Sequence, residues 1–188
     1  MKASKNCYNL IKKFEGCKLS TYLCPVGKLT IGYGHCGSDV KKGMTISQKK
    51  ADSLLKKDVA KFEKHVNSYL KFYDFTQNEF DALVSFAFNI GNINQLTANG
   101  TRSINTIAEK MLLYVNANNV RLDGLVKRRK AEYALFTKKE SEYYTVQKGD
   151  CLSKIGEKLG IDWKKIATLN NIKKPYTIYV GQRLKLPN

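Results

Sequence analysis

Residues 14–35, FEGCKLSTYLCPVGKLTIGYGH, set a glutamate at the end of a helical segment, nine residues before Cys24 and fifteen before Thr30. Upstream of it Leu10, Ile11 and Phe14 fall on one face among basic residues, which predicts an amphipathic helix, and Gly16 supplies the usual left-handed stop. Glu15 then lies at the negative end of the helix dipole, where a carboxylate is disfavoured by a few tenths to about 1 kcal/mol and a lysine would suit better. Residues 18–34 are rich in Thr, Tyr, Leu and Gly and are broken by Pro-Val-Gly-Lys. They predict a small β-hairpin with Cys24 near its tip and Thr30 on the return strand. A carboxyl group whose charged form is made uncomfortable by burial and by a helix end is suited to general-acid chemistry near neutral pH.

Helical periodicity follows. Thr45 with Gln48 reads as a capping box ahead of an apolar stripe through Ala51, Leu55, Val59, Phe62, Val66 and Leu70. Thr76 with Glu79 reads as a second box, before a helix through Phe80, Leu83, Val84, Ala87 and Ile90 that stops at Gly91. Further helices are expected around 103–117 and 124–138. The polar stretch TKKESE at 137–142 lacks large apolar residues, which places a linker at 139–142 between a domain at 1–138 and a smaller one at 143–188. In the latter, YYTVQKGDCLSKIGEKLGIDWKKIATLNNI and the closing IYVGQRLKLP read strand, helix, helix, strand. Asp150 is expected to cap the first helix and Gly160 to end it, while Trp163, Ile166 and Leu169 face the core from the next.

The spacing E-x8-[DC]-x5-T, with FEG, Tyr22, Gly27 and TIGYGH around it, resembles the catalytic segment of phage-type lysozymes, the endolysins of glycoside hydrolase family 24. DALVSFAFNIG at 81–91 and GLVKRRKAEYALF at 124–136 match the same family, so the resemblance covers residues 4–138. The C-terminal part is similar to a LysM module, a unit that binds N-acetylglucosamine-containing glycans in its family. Cys151 stands where that family usually has Thr or Ser. The fold class expected is α+β: a mainly helical lysozyme-like domain with a small β-hairpin lobe, joined to a small βααβ LysM domain.

The resemblance implies a muramidase that hydrolyses the β-1,4 bond between N-acetylmuramic acid and N-acetylglucosamine in peptidoglycan. Glu15 would be the acid, Cys24 would occupy the water-activating position where the family usually has Asp, and the Thr30 hydroxyl would hold the nucleophilic water. Cys24 as a nucleophile, giving retention, stays open. An arginine, Arg128 or Arg129, would orient the Glu15 carboxyl. Phe88 and Asn89 resemble cleft-lining residues, although Phe86 and Phe88 also fit a helix core. Gly149, Asp150, Cys151, Leu152, Asn171 and Ile172 fall in the two loops that form the sugar groove of LysM modules, although Gly149 and Asp150 would serve a turn and a cap in any case. No metal and no cofactor are implied. A zinc set of Cys17, Cys24, His35 and Cys36 fits no familiar spacing.

Taken singly, Glu15 reads as a solvated helix-end carboxylate, Thr30 as a strand residue and Cys24 as a small buried group; their joint spacing inside TIGYGH argues for a site. His35 reads as a structural histidine holding the hairpin to the helical part. Three rivals remain: a wall-binding protein with an inactive lysozyme domain, a Cys-His peptidase using Cys24 and His35, and a nucleic-acid binder. The last has only charge in its favour and lacks a recognition motif.

Hydrophobic residues make up 43% of the 188, enough for a packed core. The net charge of +17 is spread over both parts: residues 1–140 carry 24 basic against 12 acidic residues, and residues 141–188 carry nine against four. Such a field favours an anionic polymer, and adhesion that weakens with salt. The five cysteines form no CxxC pair and read as reduced thiols, with a disulfide from Cys17 or Cys36 to Cys24 as a possible means of silencing it. MKASKNCYNLIKKFEG has no apolar run of signal-peptide length, and no segment approaches the ~20 apolar residues of a membrane span. The expectation is a monomer made in the cytoplasm that acts on peptidoglycan glycan strands of the cell wall, with no specific nucleic acid as partner.

Overall fold

The first helix, α1, runs Lys5–Glu15. Ser4 caps it by accepting from the Asn6 amide, and Gly16 ends it at φ 66°, a left-handed conformation that an L side chain would strain. The computed structural model describes residues 1–139 and 143–187 and divides into two compact units, one comprising Met1–Lys138 and the other beginning at Lys139. Residues 140–142 of the expected linker lie outside the described residues.

In the first unit α1 is followed by an antiparallel hairpin, β1 (Lys18–Leu23) and β2 (Leu29–Gly32), in which Tyr22 faces Thr30 across the ladder. Cys24 begins the turn: its N–H donates to the Lys28 carbonyl at 3.0 Å and its own carbonyl accepts from Gly27 at 2.8 Å. Then come α2 (Gln48–Asn67), α3 (Gln77–Ile90), the single turn α4 (Asn94–Thr97), α5 (Ile104–Met111), a minimal hairpin of β3 (Asn116–Ala117) and β4 (Val120–Arg121), and α6 (Asp123–Phe136). The core is built around α3, which packs against α1, α2 and α6 and is buried on every side from Phe80 to Ala87. A helix surrounded in this way cannot leave polar groups unmatched. Asn78 donates to the Lys138 carbonyl at 2.9 Å, Asp81 accepts from the Ser4 amide at 2.9 Å, and Ser85 donates to Glu132 at 2.8 Å.

Several local expectations change. The Thr76 and Glu79 capping box forms as read, but α2 is capped by Ser47, which accepts from the Lys50 amide, and not by Thr45. The side chain of Gln48 instead bonds Tyr33 and Asp52. The stretch 103–117 holds a shorter helix and half of a hairpin, whose turn residues Asn118 and Asn119 take φ of 49° and 61°.

The second unit has β5 (Tyr143–Thr145), α7 (Leu152–Leu159), α8 (Trp163–Leu169) and β6 (Arg183–Lys185), with β5 and β6 antiparallel. Its core is Val146, Leu152, Ile155, Ile166, Ala167, Leu184 and Leu186. Gly160 ends α7 as expected, but Leu169 is exposed. Asp150 does not cap α7. Its carboxylate is taken by the Gln147 amide at 2.7 Å and the Tyr144 hydroxyl at 2.8 Å, so it closes the preceding turn, and Asp162 is the cap residue of α8. Among the described residues no helix is long and apolar enough to cross a membrane.

Candidate active site

Glu15, the last residue of α1, reaches across to α6, where Arg128 Nη1 donates to its Oε1 at 2.6 Å. Its side chain is 25% exposed, so it is positioned by this arginine more than by enclosure. Arg128 is itself buried. Its Nε donates to Glu132 Oε1 at 3.1 Å and its Nη2 to the Ser85 carbonyl at 3.3 Å. Arg129 is fully buried beside it, packs over the Phe86 ring, and donates from Nη2 to Asn89 Oδ1 at 2.6 Å. Glu132, also fully enclosed, lies between the two arginines, with Oε2 at 3.1 Å from Arg129 Nη1 but without hydrogen-bond alignment. Burial pushes the Glu132 carboxyl above its usual range, against the pull of Arg129 and Arg128 and the bonds from Ser85 and Arg128. Burial likewise lowers the Arg129 pKa, with Glu132 opposing.

One buried carboxylate therefore organises two arginines, and each arginine holds one residue of the same pocket. That pocket, about 250 Å³, is bordered by Glu15, Phe88 and Asn89 together with Tyr33, Asp58 and Lys61. Arg129 occupies the Asn89 carbonyl oxygen, which leaves the Asn89 amide nitrogen to donate into the pocket. Phe88 packs against Phe62 at 5.4 Å between ring centres, whereas Phe86 is core.

Cys24 and Thr30 sit together on the hairpin but do not line that pocket. Thr30 is buried and donates its hydroxyl to the Lys28 carbonyl at 3.0 Å. The Cys24 thiol titrates below its ordinary value, because a backbone bond from Lys28 stabilises the thiolate, helped by Val26 and the Thr30 hydroxyl against some desolvation. The Tyr22 hydroxyl pKa is raised by burial and then by the negative charges of Cys24, Glu15 and Cys36. His35 is buried, with Nδ1 at 2.8 Å from Asp58 on α2 and Nε2 at 3.1 Å from Asp39, so it clamps the hairpin to α2. All five cysteines are free thiols, and among the described residues no three His, Cys, Asp or Glu side chains gather as they would for a metal ion.

The family model for phage lysozyme matches residues 12–132, and that for the LysM domain matches residues 144–187. The chain belongs to the phage lysozyme family. Among curated relatives, the endolysin of Bacillus phage B103 is 39% identical over 99% of the chain and 79% of its own length. Among solved structures, the endolysin from Escherichia coli O157:H7 phage FAHEc1 is 35% identical with a TM-score of 0.64, covering 73% of this chain and 94% of its own. The muramidase domain of SpmX from Asticaccaulis excentricus is 34% identical with a TM-score of 0.66, covering 73% of this chain and 99% of its own. Membership makes the chain a lysozyme-type glycoside hydrolase with a lysozyme-like fold and a C-terminal LysM domain.

In the LysM domain of this lysozyme the six residues expected in a sugar groove divide between two places. Gly149 (φ 87°), Asp150 and Cys151 share the loop before α7, where the exposed Cys151 sulfur lies 3.1 Å from the Ser153 hydroxyl, but Leu152 is buried in the core. Asn171 and Ile172 border a separate cavity after α8 that the first loop does not line. Sequence reasoning left open which arginine holds Glu15, and it missed Glu132. The signal was the spacing within KRRKAE, which puts Glu132 one helical turn after both arginines.

Proposed function

We propose that this lysozyme hydrolyses the β-1,4 bond between N-acetylmuramic acid and N-acetylglucosamine in peptidoglycan, and that its LysM domain keeps it on the wall during cell lysis. The reading is carried by Glu15: a carboxylate fixed by Arg128 through one oxygen and facing the pocket that Phe88 and Asn89 also line. The other oxygen, Oε2, has no hydrogen-bond partner among the described residues; it is where the protonated carboxyl carries its proton, which passes to the glycosidic oxygen and leaves Glu15 as the carboxylate. As that bond breaks, a water attacks the anomeric carbon from the opposite face. The Cys24 thiolate takes one proton of the water, and the Thr30 oxygen, whose own proton is given to the Lys28 carbonyl, accepts from the other and holds the water in line. The lowered thiol pKa supports this role, since it raises the thiolate fraction at neutral pH.

The same thiolate could attack the anomeric carbon directly and give a retained product through a covalent intermediate. Product analysis tests the reading and separates the two routes. Digestion of purified peptidoglycan is expected to give fragments ending in reducing N-acetylmuramic acid, with the inverted anomer first by proton NMR. A retained anomer assigns Cys24 as nucleophile. Fragments ending in reducing N-acetylglucosamine, or cut peptides with intact glycan, contradict the proposal.

A further inference from the structure

Lys164, Thr168 and Asn171 are spaced by four and three residues, which sets them on one face of α8 and its continuation. The chain then turns back: the Tyr176 amide donates to the Lys173 carbonyl at 2.7 Å, and the Tyr176 ring meets Trp163 edge-on at 5.1 Å. Between helix and returning loop lies an open cavity of about 510 Å³, bordered by Lys164, Thr168, Asn171, Lys173, Lys174 and Tyr176. Its three ammonium groups have no carboxylate partner, because among the described residues the LysM domain forms no ion pair. Among the described acids of this domain Glu157, on α7, does not border the cavity, and the other two are engaged elsewhere. Asp162 caps the Lys164 amide at 2.9 Å, and Asp150 is bonded to Gln147 and Tyr144 in the other loop. A concave surface with three cations that have no described carboxylate partner, one of which, Lys164, also lies over the Trp163 ring, together with a hydroxyl, an amide and an aromatic wall, suits an anionic group.

We propose that this cavity binds the carboxylates of the peptidoglycan peptide stem, on the glycan strand that the LysM domain holds. The inference rests on the wall-binding reading above. Carboxylates of the same strand are favoured over a separate phosphodiester polymer because Asn171 and Ile172, two residues of the expected sugar groove, also border the cavity. A strand seated there presents its own acidic substituents to the lysines.

Binding is measured with the full chain carrying Glu15→Gln, to suppress cleavage, on three probes: a neutral N-acetylglucosamine oligosaccharide, peptide-bearing glycan strands, and walls with their phosphodiester polymers retained. The triple variant Lys164→Gln, Lys173→Gln, Lys174→Gln should lose about five- to tenfold in affinity for peptide-bearing strands, since each exposed ion pair contributes modestly. It should bind the neutral oligosaccharide as its parent does, and the difference should shrink in high salt. The matching Lys→Arg variant should bind as the parent, which separates lost charge from damaged folding. Equal affinity of triple variant and parent for peptide-bearing strands overturns the inference, as does an equal loss on the neutral probe. A loss confined to walls with phosphodiester polymers assigns the cavity to that polymer and also overturns it. If the parent binds none of the three probes, the wall-binding reading itself has failed.

Discussion

Glu15 and Glu132 are two carboxylates with opposite situations, one a quarter exposed at a pocket and one sealed beneath it. Removing the charge from Glu132 would leave Arg128 and Arg129 buried without their shared counter-ion. Breaking a buried pair in this way costs about 3–5 kcal/mol, so Glu132→Gln should lower stability in urea unfolding by that order and also cut kcat, as Glu15 and Asn89 lose their fixed positions. Cys24 makes a prediction of its own. If its thiolate takes the proton from water, activity rises with pH through a thiol pKa that lies below the ordinary thiol value. In Cys24→Asp the base would be ionised from about pH 4 upward, so the acid limb of the pH–rate profile should move down by several units. An unchanged limb would remove Cys24 from the proton transfer. At this scale the sequence singles out Glu15, Cys24 and Thr30 as candidates because they lie in one short segment. It could not say which arginine holds Glu15, because the contact joins residues 113 apart in the chain.

The hairpin is fastened to α2 through His35, and this sets a pH dependence. Burial disfavours the imidazolium, but hydrogen bonds to Asp58 and Asp39 outweigh it, so the His35 pKa is raised above its ordinary value of 6.5. The clamp then contributes its full stability below about pH 6.5 and loses it as pH rises through the higher folded-state value. Melting temperature measured across pH 5–9 should fall in that window for the native chain by more than for His35→Asn. Parallel curves would show that the clamp does not contribute. Caps were partly legible. Thr76 and Glu79 form their box, while Ser47 takes the position read for Thr45, since both are hydroxyl residues within three positions of the helix start. Ser47→Ala should cost about 1 kcal/mol in urea unfolding, and Thr45→Ala much less. The hairpin of β3 and β4 was overlooked although Asn118 and Asn119 carry the turn signal, because an apolar run around them fits a helix equally well.

Over the whole molecule, both units were visible in the sequence because each bears a dense local motif, and the positive charge is shared between them. A basic lysozyme with a LysM domain should hold an anionic wall more weakly as ionic strength rises. In the proposed reaction a proton from Glu15 starts cleavage of a glycosidic bond. That step is tested most directly by counting reducing ends and free amino groups released from purified peptidoglycan by the native chain and by Glu15→Gln. The native chain should release reducing ends without amino groups, and Glu15→Gln about 10²–10⁴-fold fewer, with wall binding retained. Undiminished release of reducing ends by Glu15→Gln, or release of amino groups by the native chain, would contradict it.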